Sequence, residues 1–272
     1  MPVQLEIHDG DPWWASQDIR VVPGDDPDGP TGPPVAGSPA FVWARVTNNE
    51  KGGAAVTDAI VRFYWANPSV GVDRTTANLI GTAFVSLASG ETEDVLCLTQ
   101  WVPVFVNGGH ECLIAEAFHP GLDPLPGTPD FNVPTDRHVA QLNVSVVMAL
   151  RGRFHLAFEV HNPSRKSREF AIIARQGTLN ELRERLEWVR KIPHLPREGR
   201  VATLGFLREP CPDPDQIGAA HDPKMNIKVG PQGRAGLTLG GVMQGSGTAV
   251  IHIEQRADDR LVGGLSVLVI NR

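Results

Sequence analysis

His110, His119 and His138, with the carboxylate of Asp136, are the side chains of this sequence best suited to acid–base or metal chemistry. Imidazole titrates near neutrality and ligates metals, so a cleft gathering His110, Asp136 and His138 would make a general-base or metal centre. Spacing alone gives this no support. His110-Glu111 opens like a His-Glu-x-x-His zinc helix, but position 114 is Ile and the segment reads as a strand. His138 follows Asp136 by two residues and reads more simply as its local hydrogen-bond partner. Asp9-Gly10-Asp11 and the run holding Asp25, Asp26 and Asp28 gather carboxylates in loops, the hard oxygen donors that calcium takes. The EF-hand order is absent, and Asp and Gly are also ordinary turn formers, which makes solvated loops the simpler reading.

Other chemistries lack their motifs. Gly245-Ser246-Gly247 does not have the Gly-x-Ser-x-Gly spacing of a nucleophile elbow, and its glycines suit hairpin or bulge positions. The sequence has no Gly-x-x-x-x-Gly-Lys phosphate loop and no strand-Gly-x-Gly-x-x-Gly-helix unit, so nucleotide cofactors are not expected. Of three cysteines, Cys97 and Cys112 fall in apolar runs as core thiols, with a disulfide as the alternative if their strands pair; Cys211 falls between prolines in a loop. Without a Cys-x-x-Cys pair, no structural zinc site of that type is expected.

Two surface readings remain. Arg165, Lys166 and Arg168, with Arg151 and Arg153 placed nearby, form a basic cluster. It lacks interleaved aromatics of the kind that stack on bases, and the chain is acidic overall, so it suits an acidic protein surface better than nucleic acid. Trp13, Trp14, Trp43, Trp65 and Trp101 all lie in the first half, where burial in a core is a commoner fate than stacking on sugars.

The elements that must position these residues are mostly strands. The sequence holds 28 Gly and 23 Pro among many short Val/Ile/Leu runs, a composition that favours turns between short strands over long helices. Strands are expected at 41–47, 56–65, 79–87, 95–101, 110–118 and 138–147, with long Pro/Gly/Asp-rich loops at 24–37 and 120–134. The pattern restarts at Phe154, where Phe154, Leu156, Phe158 and Val160 alternate with more polar neighbours. Further strands are expected at 170–174, 201–207, 225–229, 235–239, 248–255 and 261–270. One helix is expected near 179–191. Thr178 and Glu181 have capping-box spacing, Leu179, Leu182, Leu186 and Val189 form one stripe, and Pro193 ends it.

Charge divides the same way. Residues 1–149 carry 6 Lys+Arg against 18 Asp+Glu, a formal net of −12. Residues 150–272 carry 19 against 13, a net of +6, and the two sum to the chain's −6. The expected fold is therefore all-β: an acidic sandwich over 1–149 and a basic sandwich with one inserted helix over 150–272, joined near 148–153.

The first half also resembles bacterial CARDB-type and related immunoglobulin-like domains. The likeness is carried, in order, by Trp14-Ala15-Ser16-Gln17-Asp18-Ile19, Val42–Asn48, Arg62–Pro68, Ile80-Gly81-Thr82, His110–Ala115 and Asp136–Asn143, covering roughly 13–147. It implies a seven-strand sandwich used as a spacer, assembly or adhesion module and supplies no catalytic residue.

The function expected from these readings is that of a non-catalytic structural or interaction protein, with protein partners or self-association, no cofactor, no nucleic acid and no membrane insertion. A glycan- or calcium-binding adhesion module working through loops 24–37 and 120–134 is the alternative; an enzyme assembled from scattered residues is the third. The first residues carry no basic patch followed by an apolar core, so the chain reads as cytoplasmic as written, with delivery to a surface by another route left open.

Overall fold

Side-chain alternation builds the first unit. The computed structural model describes residues 2–67, 72–104, 111–192, 194–208 and 213–272. In β3 (Ala40–Asn48), Ala40, Val42, Ala44 and Val46 are buried while Trp43, Arg45 and Thr47 face outward, the period-two pattern of a strand with one face in a core. β3 pairs with β1 (Leu5–Glu6) and β2 (Ile19–Pro23) along one side and with β6 (Thr92–Leu96) along the other. A second antiparallel sheet has the order β5 (Asn78–Leu87), β4 (Val56–Ala66), β7 (Cys112–Phe118), β8 (Val139–Leu142). Its inner face presents Ala59, Val61, Phe63, Leu113, Ala115 and Ala117, all buried.

The second unit pairs a three-stranded sheet with a five-stranded one. β10 (Arg153–His161), β14 (Arg234–Gln244) and β12 (Arg200–Leu207) form the first. The second runs β13 (Lys224–Val229), β11 (Arg168–Gly177), β15 (Gly247–Ala257), β16 (Arg260–Asn271), β9 (Val144–Met148). One hydrophobic core takes Phe154, Leu156 and Phe158 from the small sheet and Ile172, Ile251 and Val267 from the large one. β9 pairs parallel to β16 from Val144↔Ser266 to Met148↔Ile270, and every other strand pair in this unit is antiparallel. The chain is mainly β, two β-sandwiches with three short helices among the described residues.

Several expectations change in detail. The run read as one strand over 138–147 is two strands, divided at Asn143. The compact units separate between Leu142 and Asn143, ahead of the 148–153 stretch. Asn143 is buried, its Nδ2 donating to Gly264 O at 3.0 Å and its carbonyl accepting from Ser266 N, so it opens the second unit's sheet. Residues 143–149 carry no charged side chain, so the −12/+6 division is unchanged by this boundary. The expected helix over 179–191 is α1 (Leu179–Arg185) and α2 (Glu187–Lys191), broken at Leu186, whose φ −108° and ψ 102° are extended. In one continuous helix Trp188 would sit roughly 200° around from Leu186. The break lets both be buried. α3 (Pro214–Gly218) and the strands β1 and β2 were not expected from the sequence. Pro193, Cys211 and His110 lie outside the described residues. Cys97 and Cys112 are free and buried; Cys112 lies on β7 while Cys97 follows β6 of the other sheet, so their strands do not pair. Among the described residues no helix is long and apolar enough to cross a membrane.

Candidate functional site

In the first unit, all seven residues of β7 are buried. Only Leu113, Ala115 and Ala117 face the sandwich core, so something must cover Cys112, Ile114, Glu116 and Phe118 on the other face. Over Glu116 and Tyr64 that cover is Arg74 of the turn 73–77 and Phe131 of the long segment 119–138. Loop 120–134 is a surface loop, as expected, most of its residues exposed, and it is anchored by the buried side chains of Asp123, Phe131 and Val133. Those anchors make it a lid built into the fold.

The lid closes over a buried ion-pair network. Glu116, opposite Arg62 on β4, accepts from Tyr64 Oη at 2.7 Å and from Arg74 Nε at 2.7 Å, with Arg62 Nη1 3.5 Å away. Arg74 also donates to the carbonyls of Thr128 (3.0 Å) and Asp130 (2.9 Å) and lies 4.7 Å over the Phe131 ring, which meets Tyr64 edge-on. One guanidinium thus ties the lid to the sheet by charge, by backbone acceptors and by a ring face. Burial, then the Glu116 charge, raises the Tyr64 phenol above its usual range, so it stays a donor.

A second knot lies beside it. Asp136 Oδ1 is 2.6 Å from His138 Nδ1 and accepts from the His138 amide at 3.1 Å. His138 Nε2 is 3.2 Å from Asp123 Oδ1; Asp123 Oδ2 accepts from Leu5 N at 2.7 Å, and Arg137 pairs with Asp123. Burial alone would lower the His138 pKa, but the Asp136 hydrogen bond and the Asp123 charge outweigh it and hold the imidazole above its usual value. Burial likewise pushes Asp136 up, and its bonds with His138, helped by the Arg74 charge, bring it below the usual carboxylate range. The structure therefore joins Asp136 to His138 as the sequence suggests. Both ring nitrogens face carboxylates in a buried setting, which leaves neither open to a substrate proton. His119 instead stabilises a turn, its Nδ1 accepting from Gly121 N and Leu122 N.

The second unit holds a Ser–His–Glu line. His252 Nδ1 lies 2.8 Å from Ser266 Oγ, and Nε2 lies 3.3 Å from Glu181 Oε2. His252 and Ser266 are directly paired across β15 and β16, and both are fully buried. The Gly177 backbone packs so close that a Cβ there would fall 2.3 Å from Nε2. The hydroxyl is closed off from solvent. Glu181 is the capping-box residue of α1, accepting from Thr178 N at 3.1 Å while its own amide donates to Thr178 Oγ1, so the line fastens the helix to the sheet. Burial, with Arg175 nearby, lowers the His252 pKa.

The remaining sequence-read residues are on the surface. Asp25, Asp26 and Asp28 are exposed, and Asp26 Oδ1 accepts from Asp28 N at 3.0 Å in a turn. Among the described residues no three His, Cys, Asp or Glu side chains converge as metal ligands. Trp14 and Trp101 are buried, and Trp43 stacks under Arg20 with its indole donating to Pro27 O. The basic cluster is divided. Arg151 and Arg153 sit at one end of β10 and Arg165, Lys166 and Arg168 beyond the other, a nine-residue strand of about 27 Å between them. Sequence proximity failed because a strand carries its two ends apart.

Glu116, Arg74 and Asp123 went unread in sequence, whereas the Asp136–His138 pair was legible. A signal existed: Glu116 interrupts the otherwise apolar Leu113–Phe118 run, and a carboxylate in a fully buried strand requires cations, here Arg62 and Arg74.

No protein-family profile matches the chain, and no curated protein does. Among solved structures, it is similar to the CupB6 tip adhesin of Pseudomonas aeruginosa at 11% identity and a TM-score of 0.26, covering 100% of this chain and 97% of that one. It is similar to CBD12 of CALX1.2 at 13% identity and a TM-score of 0.23, covering 85% and 93%. Red sea bream transglutaminase gives 11% identity and 0.23, covering 94% of this chain; the chain spans 31% of that protein's length. Likenesses this remote carry no functional argument.

Proposed function

We propose that this chain is a non-catalytic interaction protein whose two unlike sandwiches associate with protein partners and, head to tail, with further copies of itself. The carrying observation is the charge division, −12 on one compact unit and +6 on the other. Opposite net charges on separate units steer encounter between unlike ends and oppose contact between like ends. A head-to-tail contact repeats, because each copy keeps one unused surface of each kind. The resemblance of residues 13–147 to CARDB-type domains, which implies a spacer, assembly or adhesion module, is consistent with such a role.

Light scattering coupled to size exclusion tests it. Species heavier than the 29.4 kDa chain are expected at low ionic strength, with loss of mass as salt approaches about 1 M, where screening acts within roughly 3 Å. A 29.4 kDa particle at every concentration and salt would remove self-association.

A further inference from the structure

The turn between β9 and β10 is built against its own backbone preference. Leu150 N donates to Arg153 O at 2.8 Å and Arg153 N to Leu150 O at 3.1 Å, leaving Arg151 and Gly152 as a two-residue loop. Both have positive φ, 53° and 79°, the demand of a type I′ turn, which Asn, Asp or Gly meets most easily at its first position. The other tight hairpins of this unit use suitable residues: Asp258-Asp259 between β15 and β16, and Gly245-Ser246 between β14 and β15. Here an arginine holds the left-handed slot. Beside it stand Leu150, 78% exposed, and Met148, 54% exposed, with Arg153 at the base making only a loose 3.7 Å pair with Asp215. Strained backbone, exposed apolar side chains and a basic rim meet at one tip, a combination that marks recognition.

The acidic unit offers the complementary surface. Val35, Leu98 (81% exposed) and Val102 project from a loop cluster that also displays Asp25, Asp26 and Asp28. Gly37 N donates to Pro103 O at 2.8 Å and Gln100 Nε2 lies 3.4 Å from Asp25 Oδ1, so residues 25–38 and 97–103 form one surface. It is apolar with an acidic rim, where the tip is apolar with a basic one.

We infer that the β9–β10 tip of one copy docks on this acidic loop cluster of a second copy. Met148 and Leu150 cover Val35, Leu98 and Val102, while Arg151 and Arg153 face Asp25, Asp26 and Asp28. The inference rests on the self-association proposed above and specifies its interface.

Sedimentation velocity on the full chain at low salt, over a concentration series, tests it with two variants. The tip variant carries Leu150→Ser and Arg151→Asn; asparagine suits the left-handed slot, so the turn is kept. The loop variant carries Asp25→Lys and Asp28→Lys, leaving the Asp26 acceptor in place. Each alone is expected to weaken association about tenfold or more. Mixed in equal amounts they are expected to form a dimer and nothing larger, because each keeps one intact surface. A tip variant that associates like the wild type, with an unchanged circular dichroism spectrum, overturns the interface and leaves the broader reading standing. Two variants that stay monomeric when mixed also overturn it. A wild type that is monomeric throughout removes both.

Discussion

Glu116 is the residue on which the lid of the first unit depends. Its carboxylate is fully buried and is met by Tyr64, Arg74 and Arg62. Removing one member of such a set strands the others. Glu116→Gln takes from Arg74, itself largely buried, its nearer carboxylate, leaving that of Asp136 4.0 Å away, and is expected to destabilise the first unit by about 3 kcal/mol. Urea unfolding followed by tryptophan fluorescence reads this unit selectively, since five of the six tryptophans lie in it. A loss below about 1 kcal/mol would show the network to be ornamental. At this scale the sequence was readable where partners are close in the chain, as with Asp136 and His138. It was silent where they are brought together by folding: nothing local announces that Arg74 reaches Glu116 or that Asp123 faces His138.

Helix α1 shows the same division at the scale of an element. The capping box of Thr178 and Glu181 was legible because it is a four-residue pattern with one physical reason. The break at Leu186 was not, because it answers to the sheet underneath and to the need to bury Trp188 as well. Thr178→Ala is expected to cost about 1 kcal/mol. The loss should appear in the unfolding of the second unit, measured by circular dichroism, and leave the first unit's transition in place. The strand boundary at Asn143 was illegible for a similar reason. Apolar residues alternate straight through it, no Gly or Pro marks it, and only the pairing with β16 decides that Val144 starts a new sheet.

For the whole molecule, the two units respond to protons with opposite sign. In the first, His138 is held above its usual value, and burial pushes Glu111 up to about 7, moderated by its bond from Val104 N. Both folded-state values exceed the unfolded ones, so the stability they contribute is complete below the unfolded values and is lost as pH rises through the folded ones. In the second, His252 is held low. Its contribution is present above the unfolded value near 6.5 and is lost as pH falls through the folded value. Acidification should therefore raise the unfolding temperature of the first unit, through His138 above about pH 6.5 and through Glu111 between about 4.5 and 7, and lower that of the second below about 6.5. Differential scanning calorimetry with His138→Gln and His252→Asn tests the assignment: the first should flatten its own unit's pH slope above about 6.5 and the second its own unit's slope below about 6.5. Parallel shifts of both transitions would refute it. The charge division that supports association was legible from composition, whereas these opposed slopes depend on burial and were not.

The parallel pairing of β9 with β16 has a mechanical consequence. The strand that opens the second unit lies beside the strand that closes it, with five residue pairs from Val144↔Ser266 to Met148↔Ile270 running in the same direction. A pull on the start of β9 against the end of β16 draws the two strands lengthwise past each other. The slanted hydrogen bonds between them are then loaded together rather than opened one after another. A string of such units under tension would hold until the whole clamp slipped at once.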